Sequence, residues 1–435
     1  MFHILSSNGC LHIPGHKEQT DHAEILKFQP EKVYVSAVDN KAVALDQIVA
    51  AGTVVKKGSL LGVRKDFSIP VYSPVSGKVT GLVKKRSPLL NRPVNYLEIE
   101  NDKSDNRELL SKLKENPTKE DVVNKLKEGG IVGLGGAGFP SFIKYSTDKN
   151  IDTIVINAVE CEPYLTTDFV TGSTKDLTET LKTIKILLDA CNIQRSVICV
   201  KKDKEELIVA VSKAIEAFGD TRISLIMIKS VYPAGWERTL IKIALKREYD
   251  CLPSECGVIV NNLQTVMAMG RLFLHGETVS EKLVTVSGEV KNPANVLVPF
   301  GVLVNDILEA VGGATVEKAV VIDGGPMCGN PYMNGDIPTT MQANAVTVLK
   351  PKKLNTLPCL RCGECTAHCP ANLQPCEIGY ALERQDYERC FDLNALSCVG
   401  CGLCSYVCPS HIEVSENVAK AKLMVRFKVA RAKKK

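Results

Sequence analysis

The chain has 435 residues, 45% of them hydrophobic and 24% charged, with a formal net charge of +5. Those values are ordinary for a globular protein of roughly three or four domains and permit a substantial buried core. So mild a positive charge gives no reason to expect a nucleic-acid partner. No run reaches the ~18 apolar residues of a membrane span, and residues 1–17 lack the apolar stretch of a secretory signal. Of 17 cysteines, eight sit in two regular runs near the C-terminal end and nine are scattered. Scattered free thiols indicate a reducing, cytosol-facing compartment.

Residues 1–30 carry the breakers Gly9, Pro14, Gly15 and Pro30 and read as irregular. His12, His16 and His22 lie here beside Cys10, but their spacing fits no standard metal set. Residues 31–100 turn to short strands around Val33-Tyr34-Val35, Val54-Val55, Leu60-Leu61-Gly62-Val63 and the stretch from Gly77 to Val83. Val-Lys-Lys-Gly followed by Ser-Pro-Val-Ser-Gly-Lys-Val resembles the flattened β-sandwich of biotinyl and lipoyl carriers. Lys65-Asp66-Phe67 stands near the carrier tip without the carrier motif, so the module is expected to be structural. Residues 101–120 read as a polar linker or an exposed helix. Thr118 then offers a helix N-cap, and Gly129-Gly130 a stop.

Residues 133–140 read Gly-Leu-Gly-Gly-Ala-Gly-Phe-Pro. The G-x-G-x-x-G pattern alone is weak, and here it follows a helix rather than the strand a dinucleotide crossover requires. Glycines still let backbone N–H groups approach a phosphate or a flat ring without interference from Cβ atoms. Next, Ile154-Val155-Ile156 reads as a buried strand with Asn157, Glu160 and Glu162 at its carboxyl end. That is where open α/β sheets bind ligands. Asn157 can hydrogen-bond a heterocycle edge, and the two glutamates can accept from ribose hydroxyls or a carboxamide. Periodicity predicts helices over 177–190 and 204–218 and strands over 196–200 and 223–228, a mostly parallel α/β arrangement. Residues 284–290 and 319–326 read as strands, with a short helix over 299–311 and Cys328 as a bystander beyond the second glycine loop.

The two cysteine runs are Cys359-x-x-Cys362-x-x-Cys365-x-x-x-Cys369-Pro370 and Cys398-x-x-Cys401-x-x-Cys404-x-x-x-Cys408-Pro409. This is the bacterial ferredoxin spacing for [4Fe–4S] clusters, in which the fourth cysteine of each run serves the other cluster. Cys359, Cys362, Cys365 and Cys408 are therefore assigned to cluster 1, and Cys369, Cys398, Cys401 and Cys404 to cluster 2. Structural zinc is the competing use of C-x-x-C, but it does not call for two four-cysteine runs each closed by proline. Cys376, Cys390 and His368 are read as non-ligands. Residues 377–389 and 413–429 read as helices, followed by a basic tail that suits a solvated end or an acidic surface.

Taken together, the glycine loop and Asn157-Ala-Val-Glu-Cys-Glu-Pro resemble the NADH- and FMN-binding flavoprotein subunit of respiratory complex I. With the two cysteine runs and His12-Ile-Pro-Gly-His-Lys17 added, the chain is more similar to the C subunits of Rnf complexes. The resemblance implies a multidomain α/β architecture. Its parts would be an N-terminal barrel-sandwich hybrid (residues 1–115), a complex-I-flavoprotein-like α/β domain (116–275), a β-grasp module of the soluble-ligand-binding type (276–350) and a helical two-cluster ferredoxin domain (351–435). It implies a peripheral subunit at the cytoplasmic face of the membrane, partnered by other Rnf subunits and indirectly by ferredoxin, exchanging hydride between NAD(H) and FMN. Gly133, Gly135, Gly136 and Gly138 would line the flavin, with Phe139 near the nicotinamide and Lys144 as a point charge. Asn157, Glu160 and Glu162 would complete a polar wall. Gly235, Glu237, Asn261, Asn262 and Thr265 would supply nucleotide and flavin contacts. Val159 and Trp236 depart from the complex I pattern. A cobalamin reductase of similar architecture and a flavin-free iron–sulfur scaffold are the alternative readings.

Overall fold

The computed structural model describes residues 9–136, 138–332 and 335–432. Residues 1–8 and Lys433-Lys434-Lys435 of the basic tail lie outside the described residues. The chain begins with strand β1 (Ile25–Lys27), then β2 (Lys32–Ser36), β3 (Val54–Val55), β4 (Leu60–Arg64), β5 (Ile69–Tyr72), β6 (Gly77–Arg86) and β7 (Pro93–Asn101). Strands β2, β7, β6 and β3 form one antiparallel sheet, and β4 and β5 a separate hairpin. In β6 Val79 is buried between exposed Lys78 and Thr80, the period-2 signature of a half-buried strand. The expectation that residues 1–30 are irregular is corrected at β1, which adds a parallel edge to a sheet formed 270 positions later, at Ile25↔Asn295. Three residues this short carry no strand pattern of their own; the partner edge dictates them.

Helix α1 (Lys119–Glu128) begins at Thr118, whose side chain accepts from Asp121 N–H while the Asp121 carboxylate accepts from Thr118 N–H. It ends at Gly129, and α2 (Ser141–Tyr145) follows the glycine loop. The next elements are β8 (Thr153–Ala158), α3 (Thr167–Thr174), α4 (Thr178–Ala190), β9 (Arg195–Lys201), α5 (Glu205–Phe218), β10 (Ile223–Ile228), α6 (Glu237–Leu245), β11 (Val258–Asn262) and α7 (Leu263–His275). The four strands are parallel in the order β10-β9-β8-β11. Order reverses between β8 and β11, and such a switch point opens a crevice at the carboxyl ends of the strands. Ile154, Ile156, Leu181, Ile184, Val266 and Leu272 are fully buried between this sheet and its helices. Truncating one of these leucines or isoleucines to alanine would cost about 2–5 kcal/mol.

The third unit contains β12 (Glu281–Gly288), β13 (Ala294–Pro299), α8 (Val304–Ala310), β14 (Val320–Asp323), β15 (Asn330–Pro331) and β16 (Ala345–Leu349), giving the mixed sheet β1-β13-β12-β16-β14-β15. The helix is shorter than the expected 299–311 because β13 runs on to Pro299. The last unit is helical: α9 (Glu364–Ala367), α10 (Pro375–Glu383), α11 (Tyr387–Asp392), α12 (Leu403–Tyr406) and α13 (Val414–Ala432). The helix expected over 377–389 is two helices, broken where Gln385 takes a left-handed φ of 57°. Among the described residues no helix is long and apolar enough to cross a membrane.

Candidate functional site

The glycine loop is a closed excursion between α1 and α2. Val132 and Pro140 form an antiparallel bridge, and Gly133 N–H donates to Phe139 O at 2.9 Å. Thr265, in the first turn of α7, accepts the N–H of Leu134 at 3.0 Å. Gly135 and Gly136 are exposed at the loop crest, over the switch point. A Cβ on Gly135 would lie 2.6 Å from the Asn262 side chain, whereas one on Gly136 would meet nothing within 4 Å. The loop is thus tight at its back and open at its face. Gly138 is buried against Gln342, and Phe139 is half-exposed with its ring edge-to-face with Phe67 at 6.4 Å. The hairpin tip read as merely structural therefore reaches this loop.

Asn157 and Asn262 are paired neighbours at the ends of β8 and β11. Asn157 donates to Gly235 O at 2.7 Å and accepts from Val159 N–H at 2.9 Å, so it fixes the Gly235 turn. Asn262 caps α7 through Gln264 N–H and donates to Asp168 at 2.7 Å. Lys144 donates to Val260 O at 2.6 Å, and its ammonium pKa is lowered by burial, with the Glu237 charge opposing. Glu237 accepts from Tyr249 OH at 3.2 Å. Asn261 points to the other side of the sheet, fully buried, and donates to Tyr145 OH at 2.6 Å. Glu162 turns away toward the loop after β14, accepting from Met327 N–H at 2.7 Å and Cys328 N–H at 3.1 Å.

Below the loop lies a buried charge cluster that sequence reasoning did not identify. Lys282 donates to Leu134 O and, at 3.0 Å, to Met341 O. Burial lowers its pKa to about 7, opposed by Asp168, Asp323 and Glu160. Burial and then the Glu160 charge push Asp168 up to about 7. Lys17 donates to Glu160 O at 3.0 Å and its ammonium stands 3.8 Å from Glu160 Oε2. That Oε2 atom is buried without a hydrogen-bond partner among the described residues. An open glycine crest, a polar wall and an orphaned buried acceptor fit a polar heterocycle with a hydroxylated tail. No local pattern in the sequence marks Asp168 or Lys282, and Lys17 enters only as the end of the His12–Lys17 segment, because the partners that define each lie far away in the chain.

The cysteine runs fold as a repeat offset by 39 positions, Cys359 corresponding to Cys398. Arg361 and Gly400, Gly363 and Gly402, and Asn372 and His411 are left-handed pairs at matching positions. Arg361 N–H and Gly400 N–H each donate to the preceding cysteine sulfur at 3.4 Å. Helices α10 and α13 begin at the equivalent Pro375 and Val414. Burial, and beyond it the charges of Cys401, Cys398 and Cys369, push Cys404 up to about 12. Cys401, Cys398 and Cys369 thus lie near enough to Cys404 for their charges to reach it. Leu357 N–H donates to Ser410 O and Ser410 OH to Pro358 O, which ties the Cys408 turn to the start of the first run. Such crowded thiols are the donor set that bound iron, with its positive charge, would relieve. No three His, Cys, Asp or Glu among the described residues converge on a single metal ion. Cys376, read as a non-ligand, stands 3.5 Å from Cys359 Sγ, and Cys390 is fully buried among the helices. The N-terminal histidines disperse: His12 faces Ser230 O, His16 stacks on Tyr164 and His22 lies near Glu206.

Comparison with known proteins finds matches for three of these units. Residues 126–271 match the Nuo51 FMN-binding domain, 5–104 the RnfC barrel sandwich hybrid domain and 283–331 the SLBB domain. The C subunit of the ion-translocating oxidoreductase complex of Rhodobacter capsulatus is 31% identical over 406 residues, covering 89% of this chain and 78% of the relative. The chain belongs to the family of C subunits of these complexes. The C subunit of the Na(+)-translocating ferredoxin:NAD(+) oxidoreductase complex of Acetobacterium woodii is 32% identical, covering 88% of each chain. The fold is also similar to a chain of an NAD+-reducing [NiFe]-hydrogenase, with a TM-score of 0.50 and 17% identity over 71% of this chain. This chain spans 61% of the hydrogenase chain's length. Within this family, the α/β unit is an FMN-binding domain of the Nuo51 type, and the open crest at Gly135 and Gly136 lies within its matched residues.

Proposed function

We propose that this chain is the NAD(H)- and FMN-linked electron-transfer subunit of a membrane-associated, ion-translocating ferredoxin:NAD+ oxidoreductase. The supporting observation is the open crest of Gly135 and Gly136 above the β8–β11 switch point, in a chain that also carries two ferredoxin cysteine runs. Bound there, FMN would accept or return a hydride as a two-electron carrier and release single electrons to two [4Fe–4S] clusters.

The residues of this chain bind and position rather than act as strong acids or bases. The Leu134 backbone is held by Thr265 and Lys282, and Asn262 backs Gly135. Gly133, Gly136, Gly138 and Phe139 frame the crest, while Asn157, Gly235, Glu160, Lys144, Glu237 and Thr265 form the wall and floor. Glu162 and Asn261 support this wall from behind, through the loop at Cys328 and through Tyr145. Cys359, Cys362, Cys365 and Cys408 would hold cluster 1; Cys369, Cys398, Cys401 and Cys404 would hold cluster 2. Cluster 2 would lie on the flavin side: Tyr232 of the α/β unit donates to Cys401 O, whereas Cys362 is exposed. Residues 1–115, 116–275, 276–350 and 351–435 serve as the working units. The subunit would sit peripherally at the cytoplasmic face, partnered by the other subunits of the complex. The test is a count of flavin and iron in anaerobically purified protein. About one flavin and about eight irons per chain are expected; iron without flavin, even after FMN is supplied, contradicts the reading.

A further inference from the structure

Cys328 and Tyr232 belong to units that the sequence leaves unconnected, yet together they join the wall of the flavin site to the cysteine loop. Glu162 accepts from Met327 N–H and Cys328 N–H, and Cys328 Sγ lies 3.2 Å from Glu162 Oε2. On its other side Cys328 Sγ lies 2.8 Å from the Tyr232 hydroxyl. That hydroxyl donates to Cys401 O at 2.7 Å. Met327 O closes on Gly402, where a Cβ would sit 2.4 Å away, so the two loops meet without a gap. Tyr232 is 1% exposed, and both its amide N–H and its carbonyl are paired with Leu11 at 2.8 Å. Ile13, Leu403, Trp236 and Met327 pack around it. A buried tyrosine needs a partner for its hydroxyl, but here the partners are a thiol on one side and the backbone of a cysteine loop on the other.

We propose that Cys328 and Tyr232 are positioning residues: they form a hydrogen-bonded bridge that fixes the second cysteine loop against the flavin wall and tunes the cluster bound by Cys369, Cys398, Cys401 and Cys404. The β-grasp loop is then part of the electron path rather than a scaffold. The inference rests on the functional reading above. Two physical arguments carry it. Cluster potentials respond to hydrogen bonds and to solvent exclusion around the ligating loop. Electron passage also depends on a fixed separation, which rigid packed partners maintain.

The experiment is a mediated dithionite titration of full-length Tyr232→Phe and Cys328→Ala, followed by EPR, with iron and flavin counted. Cys401→Ser and Cys362→Ser identify which signal belongs to which cluster. Tyr232→Phe should keep its iron and flavin and shift the EPR signal and midpoint potential of the Cys401 cluster alone. Cys328→Ala, which leaves the tyrosine bond to Cys401 O in place, should shift the same signal by less. With NADH as reductant, cluster reduction in Tyr232→Phe should slow about tenfold. Wild-type titrations in both variants would overturn the proposal, as would a shift of the Cys362 cluster. If Tyr232→Phe loses its iron, Cys328→Ala decides alone. Dithionite needs neither NAD(H) nor flavin, so this readout survives even if NADH fails to reduce the wild-type protein, which would instead refute the functional reading.

Discussion

Lys282, on the β-grasp sheet, donates its ammonium to the carbonyl of Leu134 at the heart of the glycine loop. Its second acceptor is Met341 O at 3.0 Å. A buried carbonyl left without its donor costs about 1–3 kcal/mol, and here part of that cost falls on the loop. Lys282→Met should therefore weaken FMN binding about tenfold or more, a change of ~1.4 kcal/mol per decade, and leave iron content unchanged. Fluorescence titration of flavin-stripped protein with FMN measures it.

The two crest glycines should respond in opposite ways. Gly136→Val projects into open space, so it should melt like the wild type and bind no flavin. Gly135→Ala would drive a methyl to within 2.6 Å of Asn262, which also caps α7. It should melt several degrees lower; overpacking of this kind costs about 1–3 kcal/mol. Melting curves and flavin content on the two variants separate the roles.

The cysteine pairing predicts crossed effects. Cys369→Ser should disturb the same EPR signal as Cys398→Ser, and Cys408→Ser the same signal as Cys359→Ser. Disturbance confined within each run would overturn the pairing.

Asp323 provides a pH test. Burial pushes its carboxyl up to about 6, with the Lys282 ammonium opposing. The native state thus holds this proton more tightly than the unfolded chain, whose Asp pKa is about 3.9. Asp323 therefore withdraws stability as pH rises from about 4 to about 6, by at most roughly 3 kcal/mol, and the loss is complete above that. Asp323→Asn should gain in melting temperature over the wild type across this interval, with a constant gap above it. A gap independent of pH from 4 to 7 would contradict the assignment.

The legibility of each feature follows from how local its determinants are. Three of the four proposed ligands of each cluster stand within a few residues of one another, so the runs at Cys359 and Cys398 are readable directly. The parallel sheet is readable because β8 is an apolar run bounded by polar residues. Asn261 and Asn262 were both candidates for the site, but neighbours on a strand face opposite sides. Only Asn262 meets the loop, and Asn261 pairs with Tyr145. Lys17, Lys282 and Cys328 were illegible for a different reason. A lysine in the sequence reads as surface, and only the assembled fold shows that its ammonium is buried against carbonyls contributed by other units. The same holds for Phe67, whose contact with Phe139 depends on where the hairpin tip lands.

The most direct measurement is an anaerobic NADH titration of the purified protein, followed by visible and EPR spectroscopy. The account predicts bleaching of about one flavin per chain and the appearance of reduced-cluster signals from about eight irons. Iron clusters that stay oxidised on NADH addition, in protein replete with FMN, would contradict it.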